Sequence, residues 1–133
     1  MKLATVEDIP AVAELLNDPV IRPTIGGEGK LDPSNLIHDP RNRIYFDERG
    51  GACFAWHGPG IYEGHSFFKV RGRVAILTGW EILRLMNDAR MIWGLTPEGN
   101  KPARWFNRKL GFQSQGMLDT PDRGRCELFV LEN

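Results

Sequence analysis

The sequence has no excess of charge of either sign and no long apolar run. Lysine plus arginine and aspartate plus glutamate number 17 each among 133 residues, so no overall field draws the chain to nucleic acid or a membrane surface. No window approaches 18 apolar residues, so no membrane span is expected. The first residues contain no apolar signal segment, and we therefore expect a cytoplasmic protein.

Cysteine is scarce and metal-ligand spacing is missing. Cys53 and Cys126 are the only cysteines, each inside a strand-like stretch, which favours two buried thiols in a reducing compartment over a disulfide. The three histidines lack ligand spacing, so we predict no metal site. No Gly-x-Ser-x-Gly signature marks a covalent nucleophile. The length suits a single domain over residues 1–133.

Three helices are predicted from caps and apolar spacing. Thr5 followed by Asp8 fits a capping box at the start of the first helix, which should end near residue 17. The second and longest helix is predicted over 74–89. Asn100 can cap a third helix, which Gly111 should end.

The long helix is predicted to have one apolar and one polar face. We expect an inner face of Ala75, Ile76, Gly79, Trp80, Leu83 and Met86, and an outer face of Thr78, Glu81, Arg84 and Asp88. Arg84 and Asp88 should form an ion pair one turn apart. Gly79 should let the helix lie close to the sheet. Six aromatic residues are expected in the core, namely Trp80, Trp93, Trp105, Phe67, Phe68 and Phe106.

The remaining regular segments read as strands. A short strand at 3–5 opens the chain, and three strands at 42–48, 52–57 and 61–68 follow one another across short glycine-rich turns, which predicts an antiparallel meander. The strand at 91–95 follows the long helix, which predicts a right-handed parallel βαβ unit. Strands at 112–117 and 126–131 should close the sheet as a hairpin. Residues 19–40 are irregular apart from one turn capped at Asp32; a functional loop and a solvated connector are equally good interpretations.

A basic turn joins the third meander strand to the long helix. A strand that leads through such a turn into a helix places several backbone N–H groups and the positive end of the helix dipole at one point. Arg71 and Arg73 add guanidinium groups suited to phosphate oxygens. The turn is therefore predicted to bind an anion, most commonly a phosphate.

The element order and two motifs resemble the GNAT superfamily of acyl-CoA-dependent N-acyltransferases. The more specific motif runs from Asn100, with alanine three residues later, to Lys-Leu-Gly-Phe at 109–112; the second is Arg-Gly-Arg at 71–73. The resemblance implies an α/β fold with a mixed sheet, in which an antiparallel meander precedes a βαβ unit with splayed central strands and a C-terminal hairpin. Tyr-Glu-Gly-His at 62–65 together with Thr-Pro at 96–97 is most similar to phage-encoded GNAT-like proteins, which would act in the host cytoplasm.

The resemblance implies acetyl-CoA as co-substrate. The turn and first helical residues would hold its pyrophosphate, the strand edge would pair with its pantetheine amides, and two residues near the third helix would complete the contact. The predicted cofactor-binding residues are Phe67, Phe68, Lys69, Arg71, Gly72, Arg73, Val74, Ala75, Ile76, Asn100 and Arg104. Val74 and Ile76 depart from the small residues usual in the family, and Asn107 stands where the family often has a tyrosine that acts as general acid.

Glu63 and His65 are the candidate catalytic residues. They are two apart on one strand and therefore point to the same face. Ionised Glu63 or neutral His65 could take a proton from an attacking amine, directly or through a water. The alternative is a hydrogen-bonded structural pair.

Three functions compete at this stage. The first is transfer of an acetyl group from acetyl-CoA to the amine of a small molecule or protein by direct attack, in a protein that could pair as a homodimer. The second is a catalytically inactive GNAT-fold interaction module of phage origin, which Val74, Ile76 and Asn107 favour. The third, a nucleic-acid binder, is disfavoured by the zero net charge and by the lack of a recognition motif.

Overall fold

The computed structural model describes residues 1–133 and contains one mixed seven-stranded sheet in the order β1-β2-β3-β4-β5-β7-β6. The strands are β1 (Lys2–Leu3), β2 (Arg43–Asp47), β3 (Gly50–Trp56), β4 (Ile61–Phe68), β5 (Met91–Pro97), β6 (Gln113–Thr120) and β7 (Gly124–Glu132). The helices are α1 (Ile9–Leu16), α2 (Ser34–His38), α3 (Gly72–Leu85) and α4 (Lys101–Leu110), with short 3-10 turns at Val6–Asp8 and Arg22–Thr24. None of the helices has the length and apolar character needed to cross a membrane.

The sheet confirms the predicted topology. Strands β2, β3 and β4 are antiparallel neighbours, and β6 and β7 form the closing hairpin. Strands β4 and β5 are parallel, but they pair only over Ile61 to Glu63, opposite Met91 to Trp93. Beyond that point β5 stays paired with β7 to its end, while β4 continues beside β3 alone. The two central strands therefore splay apart after Glu63.

The predicted helix caps are also confirmed. The N–H of Thr5 donates to the Asp8 carboxylate at 2.8 Å, as a capping box requires. The Asn100 side chain accepts from the N–H of Ala103 at 3.3 Å and begins α4. Gly111 ends α4 with φ of 104°, a left-handed conformation that glycine adopts without a Cβ penalty.

Helices cover both faces of the sheet. The face toward α3 carries a buried cluster formed by Tyr45, Ala52, Phe54, Tyr62, Ile82, Met86, Ala89 and Ile92. The face toward α1 carries a second cluster formed by Val12, Ile21, Ile44, Cys53 and Phe67. Because side chains alternate along a strand, Glu63, His65 and Phe67 of β4 share the α1 face.

Helix α3 is rotated and shorter than the sequence predicted. Thr78, expected on the outer face, is fully buried, whereas Trp80, expected inside, is 46% exposed. The Thr78 hydroxyl donates to the Val74 carbonyl oxygen at 2.7 Å and accepts from Arg49 at 3.3 Å, so its burial leaves no polar atom unpaired. Trp105 of α4 is likewise 48% exposed. The prediction that these two tryptophans are core residues is therefore wrong.

Two predicted contacts of α3 are also wrong. Asp88 pairs with Arg43 of β2, with oxygen–nitrogen distances of 2.7 and 2.8 Å, instead of with Arg84. A Cβ on Gly79 would lie 2.7 Å from a Leu110 methyl group, so this glycine permits close approach to α4 and not to the sheet. Both errors arise because helix periodicity identifies a face but not the element that covers it. Both cysteines are buried and free, as predicted.

Hydrogen bonds between Asn17 and Leu31 join the two ends of the segment that follows α1. The Asn17 amide donates to the Leu31 carbonyl oxygen at 2.8 Å and accepts from the Leu31 N–H at 2.7 Å. Lys69, just after β4, pairs with Asp18 at 3.0 Å. A surface cavity of about 580 Å³ lies within residues 17–29, and none of the predicted site residues lines it.

Candidate functional site

Strand β4 leaves main-chain groups without a strand partner where β5 diverges. The N–H of Lys69 donates to the Arg49 carbonyl oxygen at 2.9 Å, so the odd-numbered residues of this strand bond toward β3. The alternation of strand geometry then directs the N–H and C=O groups of Ser66 and Phe68 into the gap. An extended ligand with amide groups could pair there as an added strand would.

The start of α3 lies directly after this strand edge. Arg71 has extended backbone angles and makes no side-chain cap, so the first-turn amides have no intrahelical acceptor. Gly72 has φ of 62°, and a Cβ there would meet no atom within 4 Å. Arg71 and Arg73 are both exposed. Free amides, the positive end of a 14-residue helix and two exposed guanidinium groups together suit an anion.

The two β-branched residues of this turn do not pack in the core. Val74 is 51% exposed and Ile76 is partly exposed, whereas Ala75 between them is buried. Strands β4 and β5 thus splay apart although Val74 and Ile76 are larger than the residues usual in the family at these positions.

Glu63 is the centre of a charged cluster at the start of the gap. Its carboxylate lies 3.0 Å from His65 Nε2 and 3.4 Å from Arg123 Nη1, both measured to Oε2. The other oxygen lies 3.5 Å from His57 Nε2, and the His57 ring makes an edge contact with Trp93. The Glu63 side chain is only 12% exposed, whereas both histidines are close to half exposed. A carboxylate is thus held beneath three groups that reach the solvent.

These contacts make the Glu63 carboxylate a poor proton acceptor. The hydrogen bond from His65, and further the charge of Arg123, lower the pKa of Glu63 to about 2 against the opposing effect of burial. A carboxylate that is ionised at all working pH values favours the His65 tautomer with the proton on Nε2, which leaves Nδ1 as an acceptor. The roles of Glu63 and His65 as catalytic residues stay predictions.

The depressed pKa of Glu63 predicts a pH effect on stability. Because its folded pKa of about 2 lies below the ordinary 4.5, Glu63 stabilises the fold fully above about pH 4.5 and loses this contribution as the pH falls toward 2. We expect Glu63→Gln to show a flatter fall in urea-unfolding free energy over that range. Glu48→Gln, at an exposed turn position, is the control and should follow the wild type. A Glu63→Gln curve parallel to the wild type would contradict the coupling.

The residues predicted near α4 have partners inside the protein. Arg104 Nε lies 2.7 Å from Glu127 and its Nη1 donates to the Glu98 carbonyl oxygen at 3.1 Å, while the Asn100 side chain caps the helix. Asn107 donates to the hydroxyl of buried Thr96 at 2.9 Å. The roles of Asn100 and Arg104 toward a cofactor stay predictions.

The structure brings two residues to the site that sequence analysis missed. His57 comes from the end of β3 and Arg123 from the turn between β6 and β7, and both contact Glu63. The register of β3 against β4 places Ala55 opposite Glu63, so the predicted meander could have indicated that His57 lies close to Glu63. Arg123 lies 60 positions from Glu63, and no local sequence pattern predicts that contact.

Solved structures share this architecture. Aminoglycoside acetyltransferase AAC(6')-Ib with paromomycin and acetyl-CoA is 18% identical over 99% of this chain and 92% of that chain, with a TM-score of 0.77. A protein proposed to be a phosphinothricin N-acetyltransferase is 18% identical over 98% and 96%, with a TM-score of 0.74. The fold is that of the GNAT acetyltransferases. A spermidine N-acetyltransferase variant from Vibrio cholerae is 13% identical over 99% and 95%, with a TM-score of 0.67. No protein-family model and no curated protein sequence matches the chain.

Proposed function

We propose that the protein is an N-acetyltransferase that transfers an acetyl group from acetyl-CoA to the amine of a small molecule or a protein. The observation that carries the proposal is the splay of β4 from β5 immediately before the uncapped start of α3. The structural neighbours with this fold include one whose complex holds acetyl-CoA.

The residues present fit such a co-substrate. The first-turn amides of α3, from Arg71 to Ile76, would hold the pyrophosphate, with the guanidinium groups of Arg71 and Arg73 beside it. Of the predicted edge at Phe67 to Lys69, Phe68 would pair with the pantetheine amides, because its main-chain groups face the gap, whereas those of Phe67 and Lys69 are directed toward β3. These positions follow one another along the chain, as one extended molecule requires.

The chemistry needs a base and no covalent enzyme intermediate. Acetyl-CoA supplies an acyl carbon on a thioester; the amine nitrogen bonds to that carbon, the carbon–sulfur bond breaks, and the sulfur leaves with the electron pair. His65 Nδ1 takes the amine proton, directly or through a water, while Glu63 holds the ring through Nε2. Asn107 has no acidic proton, so the thiolate takes its proton from solvent.

A second function, a GNAT-fold interaction module without turnover, is favoured by Asn107 in place of the family's acid. Melting with and without millimolar acetyl-CoA separates the two. A ligand at 100 times its Kd stabilises by about 2.7 kcal/mol, which raises the Tm by several degrees. A rise supports the enzyme, and an unchanged Tm supports the module.

Arg71→Ala should weaken acetyl-CoA binding by roughly 1.5–3 kcal/mol, the range of a charge-assisted hydrogen bond. Titration calorimetry measures this directly. Arg84→Ala, which removes the same group from an exposed position three turns further along α3, is the control and should bind as the wild type does. Equal affinities for the two variants would remove Arg71 from the phosphate site.

Phage origin, cytoplasmic location and pairing as a homodimer stay predictions from the sequence. A protein acceptor is equally open, because both acceptor classes present a primary amine to the same base.

A further inference from the structure

We infer that the acceptor amine carries a carboxylate, that Arg123 binds this carboxylate, and that polycationic amines are poor acceptors. The inference rests on the proposed acetyl transfer and specifies the acceptor for the same site. It depends on the charge around Glu63 and on the way the β6–β7 turn presents Arg123.

The carboxylates of the cluster already have partners. Arg123, His57 and His65 all lie within 3.5 Å of the two oxygens of Glu63, and the exposed Asp122 lies 3.8 Å from Arg123 Nε. A polyamine or an aminoglycoside would bring several positive charges to a carboxylate that is already paired. Desolvating cations without a free counter-charge costs binding free energy.

Arg123, in contrast, keeps donors available. Only Nη1 approaches hydrogen-bonding distance of a carboxylate, at a long 3.4 Å from Glu63, and Nε lies 3.8 Å from Asp122. The side chain is 38% exposed. A guanidinium carries five N–H donors in a planar fork that matches a carboxylate in a bidentate pair. The remaining N–H donors of Arg123 can therefore bind an anion that approaches from the solvent, in addition to the long contact with Glu63.

The turn fixes the backbone that carries this side chain. The Arg123 N–H donates to the Thr120 hydroxyl at 2.9 Å, and that hydroxyl donates to the Gly124 carbonyl oxygen at 2.8 Å. The thiol of Cys126 also contacts the Arg123 carbonyl oxygen at 3.8 Å. A guanidinium on a hydrogen-bonded turn loses less freedom on binding than one on an open loop.

The base and the guanidinium are close enough for one small acceptor. His65 Nε2 and Arg123 Nη1 approach the same oxygen of Glu63, at 3.0 and 3.4 Å, so they cannot lie further apart than those two distances together. Nδ1, the atom that takes the proton, lies across the same imidazole ring. An amine and a carboxylate separated by one or a few carbon atoms, as in an amino acid, would span the two groups. Placing both ends fixes the amine for attack.

The test uses matched acceptors and thiol release. Wild-type protein with acetyl-CoA is assayed against the common amino acids, against their carboxamides, and against spermidine and paromomycin. We expect kcat/KM for at least one amino acid to exceed that for its carboxamide by tenfold or more, and to exceed both polycations. Arg123→Ala should bring the amino acid down to the level of its carboxamide, and Arg123→Lys should restore part of the ratio.

Arg125→Ala is the matched control, because it removes the same charge two residues away, where Arg125 lies 3.8 Å or more from its acidic neighbours. It should keep the wild-type ratio. The inference is overturned if spermidine or paromomycin is the better acceptor, if no amino acid is acetylated, or if Arg123→Ala keeps the preference. Acetyl-CoA binding by the wild-type protein is measured in parallel by calorimetry. If the protein does not bind acetyl-CoA, the proposed function is wrong. If it binds acetyl-CoA but prefers a polycationic acceptor, only this inference is wrong.

Discussion

Glutamine in place of His65 should lower kcat for acetyl transfer by about 100-fold or more and leave the Kd of acetyl-CoA unchanged. In the proposed mechanism the imidazole takes the proton, because Glu63, with a pKa of about 2, holds a proton too weakly to take one from the attacking amine. Glutamine keeps a polar group of similar reach but accepts no proton in this range. The measurement is thiol release under saturating acceptor, with calorimetry for binding.

Two further variants test the role of the ring. Glu63→Gln should also lower kcat, because the ring loses the partner that fixes its tautomer. His38→Gln, which removes an exposed imidazole on α2, should match the wild type. An unchanged rate in His65→Gln would exclude His65 as the base.

Glu127→Ala should lower the free energy of unfolding by about 3 kcal/mol. Glu127 is 3% exposed on β7 and receives Arg104 at 2.7 Å and Arg108 at 2.5 Å from α4. Burial raises its pKa, but a hydrogen bond from Ser114 and the two guanidinium groups outweigh that effect and lower it. The substitution removes both charge-assisted bonds and leaves a cavity between helix and sheet, so both guanidinium groups must turn to water.

Urea unfolding followed by circular dichroism measures this loss, and the Tm should fall by roughly 10 °C for a domain of this size. Glu98→Ala is the control: its carboxylate is 57% exposed and lies 4.0 Å from Arg125, so the change should be close to zero. Because the pKa of Glu127 is depressed in the folded state, its contribution is present at neutral pH and is lost as the pH falls. A loss no larger than that of Glu98→Ala would show that α4 does not depend on this carboxylate.

Prediction from sequence succeeded where the signal is local. The Thr5 capping box, the Asn100 cap and Gly111 each act through hydrogen bonds or backbone angles within a few residues, so their effect can be read from neighbours in the chain. The antiparallel meander follows from short glycine-rich turns for the same reason. The prediction of one βαβ crossover needed only the order of elements, since such connections are almost always right-handed.

Prediction from sequence failed where the burial of a side chain depends on which other element packs against it. Thr78 was expected in solvent because it is polar, yet Arg49 of the β2–β3 turn reaches it at 3.3 Å and satisfies its hydroxyl. Trp80 was expected inside because it is large and apolar, yet the buried residues of α3 are Ala75, Thr78, Gly79 and Ile82. The apolar periodicity of a helix therefore indicates which side is buried only to within about one residue position.

The sequence by itself determined the element order, the caps, the turns and the two residues, Glu63 and His65, that share one face of β4. Tertiary structure alone decided where β4 leaves β5, which groups surround Glu63 and how far its pKa falls. The reason is that strand alternation and helix caps operate over two to four residues, whereas the field at a carboxylate depends on distance in space. Arg123 illustrates the point, since it lies 60 positions from Glu63 along the chain and 3.4 Å from it in the fold.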